Sequence, residues 1–139
     1  FALGAGLCGP PPYAGILMGD IDPIAVATTV ANVGPRHQPR LIGRWDAKRL
    51  PLGDESVDVV VTNLPFGVKI GVRDLRSLYR EALSEIARVL RTNGRAVVLA
   101  EDRDLVSEAA TAAERLHSGG IARVELQGRW ASACRFFRY

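Results

Sequence analysis

The chain has 139 residues, which fits one domain and leaves little over for a second. It is 47% hydrophobic and 24% charged, so it can bury a core and is not a disordered tail. Its 18 basic and 15 acidic residues leave a net charge of +3, too small to argue for or against a nucleic-acid partner.

Of the basic residues only Lys48 and Lys69 are lysine. Arginine suits bidentate phosphate contacts, and heavy Ala, Gly and Arg use is also what GC-rich coding produces. Cys8 and Cys134 make neither a disulfide framework nor a zinc site, so no metal and a reduced, cytoplasmic setting are expected. No apolar run reaches the ~18 residues that span a bilayer, and no signal peptide is visible, so a membrane role is not expected.

Ile16-Leu17-Met18, ending at Gly19-Asp20, reads as a short buried strand. Asp22-Pro23 then reads as a helix start, with Asp at the N-cap and Pro in the first turn. Ile24, Ala27, Val30 and Ala31 continue that helix, and Asn32-Val33-Gly34-Pro35 ends it. Leu41-Ile42-Gly43 is a second strand closing at Trp45-Asp46, and residues 50–54 are a loop. Val57-Asp58-Val59-Val60-Val61 is the strongest strand pattern, short and β-branched like a central parallel strand. It runs into Asn63-Leu64-Pro65-Phe66-Gly67.

Asp74 is placed as the cap of a helix whose apolar face is Leu75, Leu78, Tyr79, Ala82, Ile86 and Leu90. Asn93-Gly94 reads as a sharp turn and residues 96–100 as another buried strand. Leu105, Ala109, Ala112, Ala113 and Leu116 predict a further helix, stopped by Ser118-Gly119-Gly120. Residues 121–127 and 132–139 predict a terminal antiparallel hairpin around Gly128-Arg129. Strand-helix alternation implies an α/β fold, a mostly parallel sheet with helices on both faces. Ligands of such folds sit at the carboxyl ends of strands, where Asp20, Asp46 and Asn63 fall.

The segment Asn63 to Gly67 suggests a specific chemistry. An amide oxygen at a strand end accepts a hydrogen bond. Pro65 restricts the backbone, so the Leu64 carbonyl can serve as a second acceptor. Phe66 offers a flat apolar face. Two acceptors beside an aromatic plane suit a planar substrate bearing an NH2 group. Such an amine is a poor nucleophile because its lone pair is delocalised into the ring. Holding both hydrogens favours a pyramidal nitrogen and aims the lone pair at an electrophile. The plainer reading is a turn built of Asn, Pro and Gly.

From Ile16 to Tyr139 the chain resembles the catalytic domain of class I methyltransferases that use S-adenosyl-L-methionine. Asn63-Leu64-Pro65-Phe66-Gly67 is similar to the Asn/Asp-Pro-Pro-Tyr/Phe motif of amine-methylating members. Leu64, Gly67 and the following Val68-Lys69-Ile70-Gly71 resemble most the THUMP-associated RNA methyltransferases, which include enzymes making N2-methylguanosine in tRNA. The resemblance implies a Rossmann-like fold, residues 1–139 as a single catalytic domain, and catalysis through Asn63, Leu64, Pro65 and Phe66. It implies that Asp20 binds the cofactor ribose, that Ile21 packs on adenine, that Asp46 accepts from the adenine amine and that Ala47 offers a backbone N–H, with Asn63 also near the cofactor. Arg88-Val89-Leu90 and Asn93-Gly94-Arg95 resemble the family's helix and turn before its fifth strand.

The family's first strand and glycine loop should precede Ile16. Gly4-Ala5-Gly6-Leu7-Cys8-Gly9 fits Gly-x-Gly-x-x-Gly, making Gly4 and Gly6 candidates for the cofactor loop. Pro10-Pro11-Pro12 excludes the helix that should follow it. The first strand of this fold is central, so its absence would split the sheet and leave edges unpaired. The expectation is therefore an irregular or incomplete portion over residues 1–15. Nothing here corresponds to the RNA-binding region that THUMP-associated enzymes carry upstream. Lys69 and Arg73 are candidate RNA contacts, while the remaining arginines of that helix read as a solvated face beside Glu81 and Glu85. Other amine acceptors, adenine N6 or a protein glutamine, stay open, as does a non-catalytic RNA- or protein-binding module.

Overall fold

A computed structural model describes residues 14–33, 40–66, 72–126 and 128–139, without the side chains of residues 40 and 72–74. The element order is β1 (Ile16–Asp20), α1 (Pro23–Asn32), β2 (Arg40–Arg44), β3 (Val57–Asn63), α2 (Val72–Val89), β4 (Leu90–Ala100), α3 (Arg103–Ala112), β5 (Leu116–Leu126) and β6 (Arg129–Arg138). Contacts divide the chain into two compact units, Phe1–Ala47 and Lys48–Tyr139. Hydrogen bonding divides the described strands into a two-stranded sheet, β1-β2, and a four-stranded sheet, β3-β4-β6-β5. β1 and β3 each have one described strand partner, and the expected irregular or incomplete stretch up to residue 13 lies outside the described residues.

In the first unit β1 and β2 are parallel, with Gly19 opposite Gly43. Both positions lie under the Trp45 indole. A Cβ on Gly19 would come within 2.4 Å of the Trp45 ring and one on Gly43 within 2.7 Å of its Nε1, so the ring rests on bare backbone. α1 starts as expected. The Asp22 carboxylate accepts from the Ile24 N–H, and Pro23 occupies the first turn, where no N–H is needed.

In the second unit β3 and β4 run parallel, while β4-β6 and β5-β6 are antiparallel, so the sheet is mixed and ends in the predicted hairpin. α2 and α3 pack on one another and contribute to one core with the sheet. Tyr79, Leu83 and Ile86 of α2, Val106 and Ala109 of α3, Ala96, Val98 and Ala100 of β4, and Cys134 and Phe136 of β6 are all buried there. The alternation of Ala96, Val98 and Ala100 is the period-2 signature of a strand with one face covered. Among the described residues no helix is long and apolar enough to cross a membrane.

Three expected boundaries move. α2 begins at Val72, so Asp74 lies inside the helix and not at its cap. Leu90 is the first residue of β4, and Asn93-Gly94, with Asn93 at φ 65°, forms an out-of-register excursion within that strand. Most markedly, α3 stops at Ala112, and Leu116 and Ser118-Gly119-Gly120 belong to β5 instead of ending the helix. The physical reason is tertiary. Leu116 enters the core opposite Arg138, and the Phe137 ring lies where a Cβ on Gly119 would be, 2.2 Å away. The glycines serve a bulge between Ser118 and Gly120, which a helix-stop reading of Gly-Gly mistakes for a terminator.

Candidate active site

Asn63 ends β3, opposite Leu99 of β4, and its side chain is exposed. The next residues leave the sheet but stay anchored to it. The Leu64 N–H donates to the Leu99 carbonyl at 2.9 Å, and the Leu64 side chain is only 3% exposed within the core. The Tyr79 hydroxyl, carried by α2, donates to the Pro65 carbonyl at 2.9 Å. The Leu64 carbonyl thus lies on a backbone fixed on both sides, as a rigid acceptor requires.

Tyr79 is itself wholly buried, and its hydroxyl pKa is pushed up to about 12, chiefly by burial and further by the nearby Asp102 and Glu101 carboxylates. It is therefore a protonated donor throughout the working range. By helical spacing alone Tyr79 is only part of an apolar helix face. Its phenol is a signal that a buried hydroxyl needs a partner.

Phe66 is half-buried, and Arg129 of β6 stands over its ring, with the guanidinium carbon 5.7 Å from the ring centroid. Arg129 Nη2 donates to Glu101 Oε1 at 2.8 Å. Glu101 follows β4 directly, next to Asp102, which caps α3 by accepting from the Asp104 and Leu105 N–H groups. Asn63, Leu64, Pro65, Phe66, Tyr79, Glu101 and Arg129 therefore gather at one end of the four-stranded sheet. By sequence alone Arg129 is only part of a hairpin turn.

The first unit holds the other expected set. Asp20 ends β1, and its Oδ1 accepts from the Asp22 N–H at 2.9 Å, which fixes the carboxylate over the turn. The Trp45 N–H donates to the Asp20 carbonyl at 3.0 Å and Arg44 Nε to the Ile21 carbonyl at 2.9 Å, tying that turn to the end of β2. Ile21 is 58% exposed, an apolar surface free to meet a flat ligand. Asp46 is half-buried and Ala47 exposed just past β2. A carboxylate set beside an exposed aliphatic side chain fits the ribose and adenine of a nucleoside. Gly4, Gly6 and Lys69 lie outside the described residues. Arg73 is placed in the first turn of α2 by its backbone alone.

Three further arginines of this unit are held in ion pairs. Arg88 embraces Glu85 with two hydrogen bonds, at 2.8 and 2.7 Å, and reaches the Leu52 and Leu50 carbonyls and Asp54. Arg76 pairs with Glu108 of α3, and Arg91 with Asp58.

Sheet order, strand-end residues and the amide–carbonyl–aromatic turn together define an α/β domain of the methyltransferase kind. A family model described as RMKL-like, methyltransferase domain, matches residues 13–132. The chain belongs to that family. It is 33% identical over 108 residues to the tRNA (guanine(6)-N(2))-methyltransferase THUMP3 of Bos taurus, and 35% identical over the same length to that of Homo sapiens, each alignment covering 67% of this chain and 21% of the relative. The chain thus spans about a fifth of the curated relatives it matches. Among solved structures it resembles TrmN from Thermus thermophilus, with TM-score 0.68, 22% identity, 90% of this chain and 36% of that one. It likewise resembles the PH0226 protein from Pyrococcus horikoshii, with TM-score 0.68, 12% identity, 90% of this chain and 72% of that one. These likenesses show the fold.

Proposed function

We propose that this chain is the catalytic domain of an S-adenosyl-L-methionine-dependent enzyme that methylates the exocyclic N2 amine of guanosine in RNA, with tRNA as the substrate. The observation that carries the reading is the anchored turn. Asn63 stands exposed beside Leu64, whose N–H donates to the Leu99 carbonyl and whose neighbour Pro65 has its carbonyl held by the Tyr79 hydroxyl. The similarity to tRNA (guanine(6)-N(2))-methyltransferases supports guanine in tRNA as the acceptor and makes position 6 the first to test.

The cofactor, when bound, supplies an electrophilic methyl group. Asp20, with one carboxylate oxygen held by the Asp22 N–H, would accept from ribose hydroxyls, and Ile21 would cover adenine. Asp46 and Ala47 would address the adenine edge. Asn63 Oδ1 and the Leu64 carbonyl hold both amine hydrogens and keep the nitrogen lone pair directed, while Phe66 stacks on the base. No strong general base is required, because the proton leaves after nitrogen has become cationic. Lys69 and Arg73 are proposed to contact the RNA backbone, and the free, buried thiol of Cys134 agrees with a cytoplasmic setting.

The test is Asn63→Ala assayed for methyl transfer to tRNA, with cofactor binding followed by calorimetry. The expected result is a loss of roughly 10²–10³-fold in kcat with cofactor affinity largely kept. Unchanged turnover refutes the role.

A further inference from the structure

We infer that Arg129 reads the target base: its guanidinium lies over the Phe66 ring and, when guanine enters, moves to its edge and donates to the O6 and N7 acceptors of that base. This rests on the function proposed above and deepens it, because the amide–carbonyl pair recognises an amine without telling guanine from adenine.

The register places Arg129 where this is needed. β6 pairs antiparallel with β4, Ser132 opposite Ala100. Arg129, three residues earlier, therefore lies past the carboxyl end of β4. β3 runs parallel to β4 and ends with Asn63 opposite Leu99, so both side chains belong to the same end of the sheet.

The contacts say what Arg129 does there. Its guanidinium lies over the Phe66 ring at 5.7 Å, and Glu101 holds Nη2 at 2.8 Å. A base stacked about 3.5 Å from the Phe66 ring takes the space the guanidinium covers, so the guanidinium swings out to the base's edge, where its in-plane N–H groups reach O6 and N7. At 5.7 Å the guanidinium must shift when a base takes that face. The shift is easy, since the side chain is 46% exposed. Glu101 provides the pivot, and the α3 cap at Asp102 keeps that pivot fixed.

The chemistry selects guanine. Arginine carries five N–H donors in a planar fork, and among the described residues Glu101 engages one. Guanine offers two acceptors, O6 and N7, on the edge that such a fork matches. Adenine has a single amine, N6, where guanine carries O6: with N6 on the amide–carbonyl pair the fork finds no O6–N7 acceptor pair, and with N6 at the fork the amide–carbonyl pair is left without an amine. A glutamine side chain has neither the ring for Phe66 nor the paired acceptors.

The experiment compares wild type, Arg129→Gln and Arg129→Lys in the full-length protein. Substrates are a tRNA and the same tRNA carrying 7-deazaguanosine at the methylated position, which keeps the amine and removes N7. Readouts are kcat, KM and tRNA affinity by filter binding, with cofactor affinity by calorimetry. We expect the deaza substitution to cost wild type about tenfold in kcat/KM and affinity, and to cost either variant nothing further. We expect Arg129→Lys to resemble Arg129→Gln, since lysine keeps the charge and lacks the fork, and cofactor affinity to hold throughout. Equal deaza penalties in wild type and variants overturn the inference and leave the proposed function standing. Loss of cofactor affinity in both variants also overturns it, by assigning Arg129 a structural role. Failure of wild type to methylate any guanosine amine overturns the proposed function, and this inference with it.

Discussion

Tyr79 shows how one side chain both fills the core and anchors a turn. Its ring fills the core between α2 and the sheet, and its O–H fixes the Pro65 carbonyl, one residue along from the acceptor at Leu64. Tyr79→Phe keeps the ring and removes the bond. The stability loss should be about 1 kcal/mol by denaturant titration, the usual net worth of one hydrogen bond. The loss in methyl transfer should exceed that share, roughly tenfold or more, because a displaced acceptor misdirects the amine. A variant with unchanged kcat would show that Pro65 needs no anchor. Because burial holds the Tyr79 pKa near 12, its contribution should be flat with pH across the neutral range. The residue-scale reading of Asn63 to Phe66 was available from sequence, since residue types and spacing carry it. The roles of Tyr79 and Arg129 were not, because the partners lie 14 residues from Pro65 and 63 from Phe66.

Between elements, the loop of residues 50–54 is held to α2 by a single charged knot. Glu85 accepts two bonds from Arg88 and one from the Leu50 N–H at 2.7 Å, and Arg88 also takes the Leu50 and Leu52 carbonyls. The Arg88 guanidinium, ahead of every other influence, holds the Glu85 carboxyl below the usual carboxylate range, and the Leu50 N–H adds to that. A depressed folded pKa contributes stability that is complete above the unfolded value of about 4.3 and is lost as pH falls through the folded one. Thermal denaturation should therefore show stability declining below about pH 4.3, and Glu85→Gln should start lower and flatten that decline. An equally steep decline in the variant would place the acid sensitivity elsewhere. Element types were legible where the period was strong, as in β3, α2 and the hairpin. Leu116 fails as a helix residue because helical spacing and a strand's first buried position look alike over a few residues, and only the pairing with Arg138 separates them.

For the whole molecule, we propose that residues 1–139 act as one catalytic domain. The family model runs across both compact units, from residue 13 to 132, so both belong to one domain type. Calorimetric or denaturant unfolding should then show one cooperative transition whose midpoint rises with S-adenosyl-L-methionine. Two well-separated transitions would refute single-domain behaviour. Lys69 and Arg73 are the two phosphate contacts proposed, so tRNA binding by this chain should show the salt dependence of about two released counterions, and a much steeper slope would mean further contacts.

Sequence by itself determined the α/β class, the strand-end placement of Asp20, Asp46 and Asn63, and the turn from Asn63 to Phe66. Each of these follows from local spacing: β-branched runs make strands, and Asp, Asn and Pro end them. Tertiary structure decided what holds and completes that turn. Long-range register brings Tyr79 beneath Pro65 and Arg129 over Phe66. Strand pairing also turned two glycines from a helix stop into a bulge that makes room for Phe137. Contacts between distant residues depend on which strands become neighbours, and neighbourhood is a property of the folded sheet that no local pattern encodes.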